Sequence, residues 1–124
     1  MKQETEMGRT DIRVILVEDD ADLGAALSEF LELSGLIVDW VQSGLDFYRK
    51  LGQGVVYQVA VIDIGLPDQS GMVLGEYMRR NSLASIIILT ANDSPDVTAE
   101  SYSLGMDLFV GKPVDNNILL SAIA

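Results

Sequence analysis

Three stretches of this chain are apolar at successive positions where a surface strand would alternate: residues 12–17 (IRVILV, interrupted only by Arg13), 59–62 (VAVI) and 86–89 (IIIL). A strand that is apolar at successive positions needs cover on both faces, and a parallel sheet held between helices offers it. The intervening segments have helical period. In 22–34, Leu23, Leu27, Phe30 and Leu31 recur on one face, and Gly35 stands where a helix C′ residue belongs. Residues 36–41 (LIVDWV) predict a second strand, and Ser43 with Asp46 marks a capping-box-like start to a helix ending near Leu51. Val59–Asp63 is the expected third strand, 72–80 a helix and Ser85–Thr90 the fourth strand. Ser94 before Pro95 places an N-cap ahead of a proline at the first helical position, with the helix stopping at Gly105. LFVG at 108–111 is a short fifth strand, and Asp115 caps a last helix with Ile118, Leu119 and Ile123 facing inward.

Five β–α units with short connections predict an α/β fold. Right-handed crossovers then wind the sheet doubly, with helices on both faces. Residues 1–10 carry no periodicity and are expected to form a flexible tail, leaving 11–124 as one domain. Sheets of this type bind ligands outside the carboxyl ends of their strands. Strand one ends in Glu18, Asp19 and Asp20, strand three in Asp63, strand four in Thr90 and strand five in Lys112, followed by Pro113.

Taken singly, each of these residues has an ordinary explanation. Asp63 can close a turn through its own side chain. Asp19 and Asp20 suit a helix N-terminus, Thr90 suits a strand end and Lys112 suits a surface. Together they place every chemically capable group on one rim. Two carboxylates about 6 Å apart repel by roughly 3 kcal/mol at an effective dielectric near 20. Converging Asp19, Asp20 and Asp63 therefore opposes folding unless Lys112 and a hard divalent cation offset the charge, and Mg²⁺ suits a site of few carboxylates.

Composition narrows the chemistry further. The chain has neither cysteine nor histidine, which excludes disulfides, thiolate or imidazole metal sites and a histidine base. Any phosphohistidine must then sit on a partner. A net charge of −11 opposes nucleic-acid binding. No apolar run approaches a bilayer span, and MKQETEMGRTD has no signal-peptide pattern, so a cytoplasmic protein with no membrane role is expected.

VILVEDD, VIDIGLPDQSG, ILTA and GKP, in that order and at these separations, resemble the receiver domains of two-component response regulators from about residue 12 onward. The resemblance implies a CheY-like, flavodoxin-like three-layer sandwich, (βα)5, with a parallel sheet in the order 2-1-3-4-5. It implies Asp63 as phosphoacceptor, and Asp19, Asp20, Asp63 and the Gly65 backbone carbonyl as Mg²⁺ ligands. Thr90 matches the hydroxyl residue that meets the phosphoryl group and moves on activation. Lys112 matches the lysine that pairs with a phosphoryl oxygen, and its bond to Pro113 resembles one kept cis. Phe109 matches an aromatic switch position, where packing alone must act because it lacks a phenolic hydroxyl. The implied donor is a sensor histidine kinase or a histidine phosphotransfer protein. Phosphorylation would switch the surface of the fourth helix, fifth strand and fifth helix, with homodimerisation one outcome. Such a domain is a signalling module, not an enzyme acting on other substrates.

Some features depart from that pattern. Residues 96–105 (DVTAESYSLG) and 115–124 (DNNILLSAIA) carry no Arg or Lys, and Leu108 stands where relatives often have a second acid. These departures argue against the charged dimer mode of receivers joined to winged-helix domains. The chain also stops inside an apolar helical pattern, and the expectation is a truncated last helix with a C-terminal effector domain removed; a stand-alone receiver with a short last helix is the alternative. The rival readings are a Mg²⁺-dependent aspartyl-phosphate phosphatase or phosphotransferase and a flavodoxin-like cofactor module. The haloacid dehalogenase type of phosphatase needs a second acid two residues past the nucleophile, where Gly65 stands. A cofactor loop after strand one would meet the acids of Glu18–Asp20.

Overall fold

The protein is described by a computed structural model covering residues 12–91 and 105–123. The expected tail at 1–10 and the expected helix with Ser94 and Pro95 lie outside the described residues. The elements are β1 (Arg13–Val17), α1 (Ala21–Leu33), β2 (Ile37–Val41), α2 (Gly44–Leu51), β3 (Val59–Asp63), α3 (Gly71–Asn81), β4 (Ser85–Thr90), β5 (Leu108–Gly111) and α4 (Asn116–Ile123). All strands pair in parallel, in the order β2-β1-β3-β4-β5. This is the doubly wound, flavodoxin-like arrangement that the alternation of segments and the family resemblance implied.

Strand alternation divides the apolar runs between two cores. Ile15, Val17, Ala60, Ile62, Ile86 and Ile88 face α2 and α3, where Phe47, Leu74 and Met78 meet them. Val14, Leu16, Val61, Ile87, Leu89 and Val110 face α1 and α4, where Leu27, Leu31, Leu119 and Ile123 complete the layer. Every residue of β3 is buried, Asp63 included. Ile118 is a correction to the expected inward trio of the last helix, for its side chain is 58% exposed. Leu119 and Ile123, four residues apart, occupy the core face of α4, and the adjacent position is turned about 100° away from it.

Local chemistry accounts for the element ends. Asp20 caps α1, accepting from the N–H groups of Asp22 and Leu23. Gly35 adopts φ 97°, and the N–H groups of Gly35 and Leu36 return to the carbonyls of Glu32 and Leu31, a Schellman closure. Ser43 caps α2 through the N–H of Asp46, Ser70 caps α3 and Asp115 caps α4. Among the described residues no helix is long and apolar enough to cross a membrane.

Candidate functional site

The carboxyl ends of β1, β3, β4 and β5 meet around one open cavity of about 390 Å³. Glu18, Asp19, Asp20, Asp63, Thr90 and Lys112 line it, with Gly65 and Ala91 at its margin. A larger groove of about 510 Å³, near Tyr57, Met78 and Ala84, lies at the opposite end of the strands and holds no charged side chain.

Asp63 is the last residue of β3 and is 5% exposed. Its Oδ1 accepts from the Gly65 N–H at 3.2 Å, so the turn-closing role open to it by sequence is real. Its Oδ2 lies 3.3 Å from Lys112 Nζ, a contact no turn requires. Lys112 follows β5, directed by the bond from its own N–H to the Thr90 carbonyl, and its peptide bond to Pro113 is cis. The same Nζ lies 3.0 Å from Glu18 Oε1. Burial alone would depress the ammonium, but Glu18 and Asp63 together hold it above its ordinary range.

Glu18 was placed on the rim by sequence but given no role there. It is fully buried, and burial pushes its carboxyl above the usual range. Lys112 and the Asp20 N–H pull it back in part, while the Asp63 charge acts with burial. One ligand oxygen from each of Glu18, Asp19 and Asp63 comes within 4.8 Å of the others. Asp20 lines the same cavity, yet it is outside this trio: its Oδ1 is taken up by the first turn of α1. The signal that could have separated them is the start of α1 at Ala21, which makes the preceding residue the N-cap. Thr90 is buried at the cavity wall. Phe109 is half-buried on β5 and lines a separate groove with Pro113 and Ile118.

This donor set suits a hard cation. Three carboxylates face one ammonium, an excess of two negative charges. Glu18 Oε1 is buried and has the Lys112 ammonium, 3.0 Å away, as its partner. A cluster of carboxylate oxygens carrying more negative charge than one ammonium offsets fits Mg²⁺.

The loop after β3 is also tied to its neighbours. Asp68 reaches across to cap α2, its two oxygens each accepting at 3.0 Å from the N–H groups of Gly44 and Leu45. The Gly44 N–H, with a smaller pull from the Leu45 N–H, outweighs the opposing effect of desolvation and holds the Asp68 carboxyl below its ordinary value. A lowered folded pKa stabilises the fold above the unfolded value, and this contribution is lost as pH falls through the folded one. Asp68→Ala is therefore expected to melt several degrees below the wild type at neutral pH, with the two curves converging in acid. Thermal melting from pH 3 to pH 8 measures this, and a gap that does not close in acid would contradict it.

Comparison with known proteins agrees with the geometry. The family described as "Response regulator receiver domain" matches residues 14–124. The chain is 36% identical over 105 residues to the response regulator RppA of Synechocystis, covering 82% of this chain and 44% of that protein. It superposes on a CheY-like receiver domain from Methanospirillum hungatei with a TM-score of 0.83, at 26% identity and 90% coverage of both chains. The BeF3-activated DrrB receiver domain matches at a TM-score of 0.80 and 27% identity, covering 90% of this chain and 93% of that one. The chain spans about half the length of the curated relatives it matches. With the fold, the acid rim and the family match in agreement, this chain belongs to the response-regulator receiver domains of two-component signalling.

Proposed function

We propose that Asp63 accepts a phosphoryl group from a phosphohistidine on a sensor kinase or phosphotransfer protein. The observation that carries this reading is the placement of Lys112 Nζ 3.3 Å from Asp63 Oδ2, beside Glu18 and Asp19. A carboxylate oxygen attacks phosphorus, the donor P–N bond breaks with its electron pair leaving on the imidazole, and an acyl phosphate forms. Lys112 offsets the charge of the incoming phosphoryl oxygens. Bound at Glu18, Asp19, Asp63 and the Gly65 carbonyl, Mg²⁺ would supply the remaining charge neutralisation. Asp20, drawn into capping α1, is assigned a supporting place at the rim.

Thr90 hydrogen-bonds the new phosphoryl oxygens in this reading, which draws the end of β4 toward Asp63 and biases the packing around Phe109. Among the described residues, the surface that changes is formed by β5 and α4. Its reader is an effector region or a partner protein, and self-association on phosphorylation is one form the output can take. One of the similar structures, described as BeF3-activated, supports an activated state for receivers of this fold.

The test is exposure to a small acyl or amido phosphate with Mg²⁺, read by intact mass. The wild type is expected to gain one phosphoryl group, while Asp63→Asn, or the wild type with a chelator, gains none. Equal labelling of Asp63→Asn, or no labelling of the wild type with Mg²⁺, would overturn the assignment.

A further inference from the structure

Two side chains, one from β2 and one just past its end, grip the acidic loop from outside the acid cluster. Trp40, the single tryptophan of the chain, donates its Nε1–H to the Glu18 carbonyl at 2.9 Å. Gln42 donates Nε2–H to the Asp19 carbonyl at 3.3 Å. Between them, the Val41 carbonyl accepts from the Glu18 N–H at 3.0 Å. Three successive peptide planes, those joining 17–18, 18–19 and 19–20, are thereby held by three successive residues, Trp40 and Val41 of β2 and Gln42 just beyond it. Two planes flank each α-carbon, so both backbone dihedrals of Glu18 and of Asp19 are set, and with them the directions of the two Cβ atoms.

A second observation shows that the molecule gives up helix propensity for this arrangement. Gly24 lies buried inside α1, where glycine is unfavourable relative to alanine. A Cβ there would stand 2.2 to 2.4 Å from Cε2, Cζ2 and Nε1 of Trp40. The indole occupies the space a side chain would take, and its one polar atom points at the loop.

We infer that Trp40, assisted by Gln42, is a positioning residue for the divalent-cation site: it aims the Glu18 and Asp19 carboxylates at Asp63 before any cation arrives. This rests on the metal reading proposed above. Ligands already aimed lose little freedom on binding, and outer-shell partners of this kind typically change metal affinity by about tenfold or more. The indole N–H also joins a carbonyl directly behind a ligand, so its environment reports on the site.

The experiment is Mg²⁺ titration of the 124-residue chain, followed by calorimetry and by the single indole N–H resonance, with Trp40→Phe, Gln42→Met and Gly24→Ala as variants. In the wild type the indole resonance is expected to move along a saturating curve with the calorimetric Kd. Trp40→Phe keeps a ring but no donor, and its Mg²⁺ Kd should rise about tenfold while its metal-free melting temperature falls by only a few degrees. Gly24→Ala should weaken binding similarly by displacing the indole, and Gln42→Met less, because its bond is longer and exposed. A Trp40→Phe Kd equal to that of the wild type, or an indole resonance unmoved at saturating Mg²⁺, would overturn the positioning role and leave the metal site standing. Absence of Mg²⁺ binding by the wild type would overturn both.

Discussion

Lys112→Ala is expected to melt roughly 10 °C below the wild type in metal-free buffer at neutral pH and to accept phosphoryl groups far more slowly. Its ammonium is the one cation within reach of Glu18 Oε1, at 3.0 Å, and of Asp63 Oδ2, at 3.3 Å, among the described residues. Glu18 is fully buried, and removing one partner of a buried ion pair leaves a charge that water cannot reach. Such losses run at about 3–5 kcal/mol. The lower end applies here, because the lysine side chain is 21% exposed and part of its attraction is screened. The deficit carries a pH signature. Burial already raises the Glu18 carboxyl, and without Lys112 it is raised further. An acid whose folded pKa is raised costs the fold stability as pH climbs from its unfolded value to its folded one, so the variant should recover in acid and worsen as pH rises. Glu18→Gln in the same background removes the stranded charge and should restore most of the melting temperature. Melting of the two single variants and the double variant measures the coupling directly. An unchanged melting temperature in Lys112→Ala would mean that Glu18 is already protonated at neutral pH.

Gly71→Ala is expected to damage both stability and phosphoryl acceptance. A Cβ at Gly71 would lie 2.1 Å from the carbonyl oxygen of Asp63, 2.8 Å from its carbonyl carbon and 2.9 Å from the Ile64 Cα. All three neighbours are backbone, so no rotamer change relieves the contact. Either the first turn of α3 or the end of β3 must move, at a cost of about 2–3 kcal/mol by comparison with overpacked cores. Two of the three atoms belong to Asp63, the proposed acceptor. A shift of about 1 Å at a reacting group can cost on the order of a hundredfold in rate. Gly75→Ala is the matched control. The Cβ there would meet Met106 Sδ at 2.5 Å, the far part of a flexible side chain that can move aside. It should retain phosphorylation at near the wild-type rate while losing less stability. Phosphorylation time courses with a small phosphodonor, together with melting curves, distinguish the two. Equal behaviour of Gly71→Ala and Gly75→Ala would show that the β3–α3 junction tolerates displacement.

Much of the fold was legible because its signals are local. Val59–Asp63 and Ser85–Thr90 emerge at the bounds expected from their apolar runs, since a strand buried on both faces leaves no other pattern. Helix starts were readable from Ser43 and Asp115, whose short side chains reach N–H groups two or three residues away. Ile118 was misread because an eight-residue helix offers too few turns to show which apolar position faces inward. Asp68 gave no signal, because the N–H groups it caps belong to residues more than twenty positions earlier.

By itself, the sequence determined the alternation of elements, the two-sided apolar sheet and the residue types at its carboxyl edge, because period, capping and burial preference act within a few residues. The tertiary structure alone decided how the acids are placed at that edge. Asp20 turns to the N–H groups of its own helix, while Glu18 is buried against Lys112, ninety-four positions on. It also brought Trp40 and Gln42 to the back of the acidic loop and left Gly24 as the space that admits the indole. Those contacts join residues of different elements, and their geometry follows from sheet order and register, which no local pattern of residues encodes.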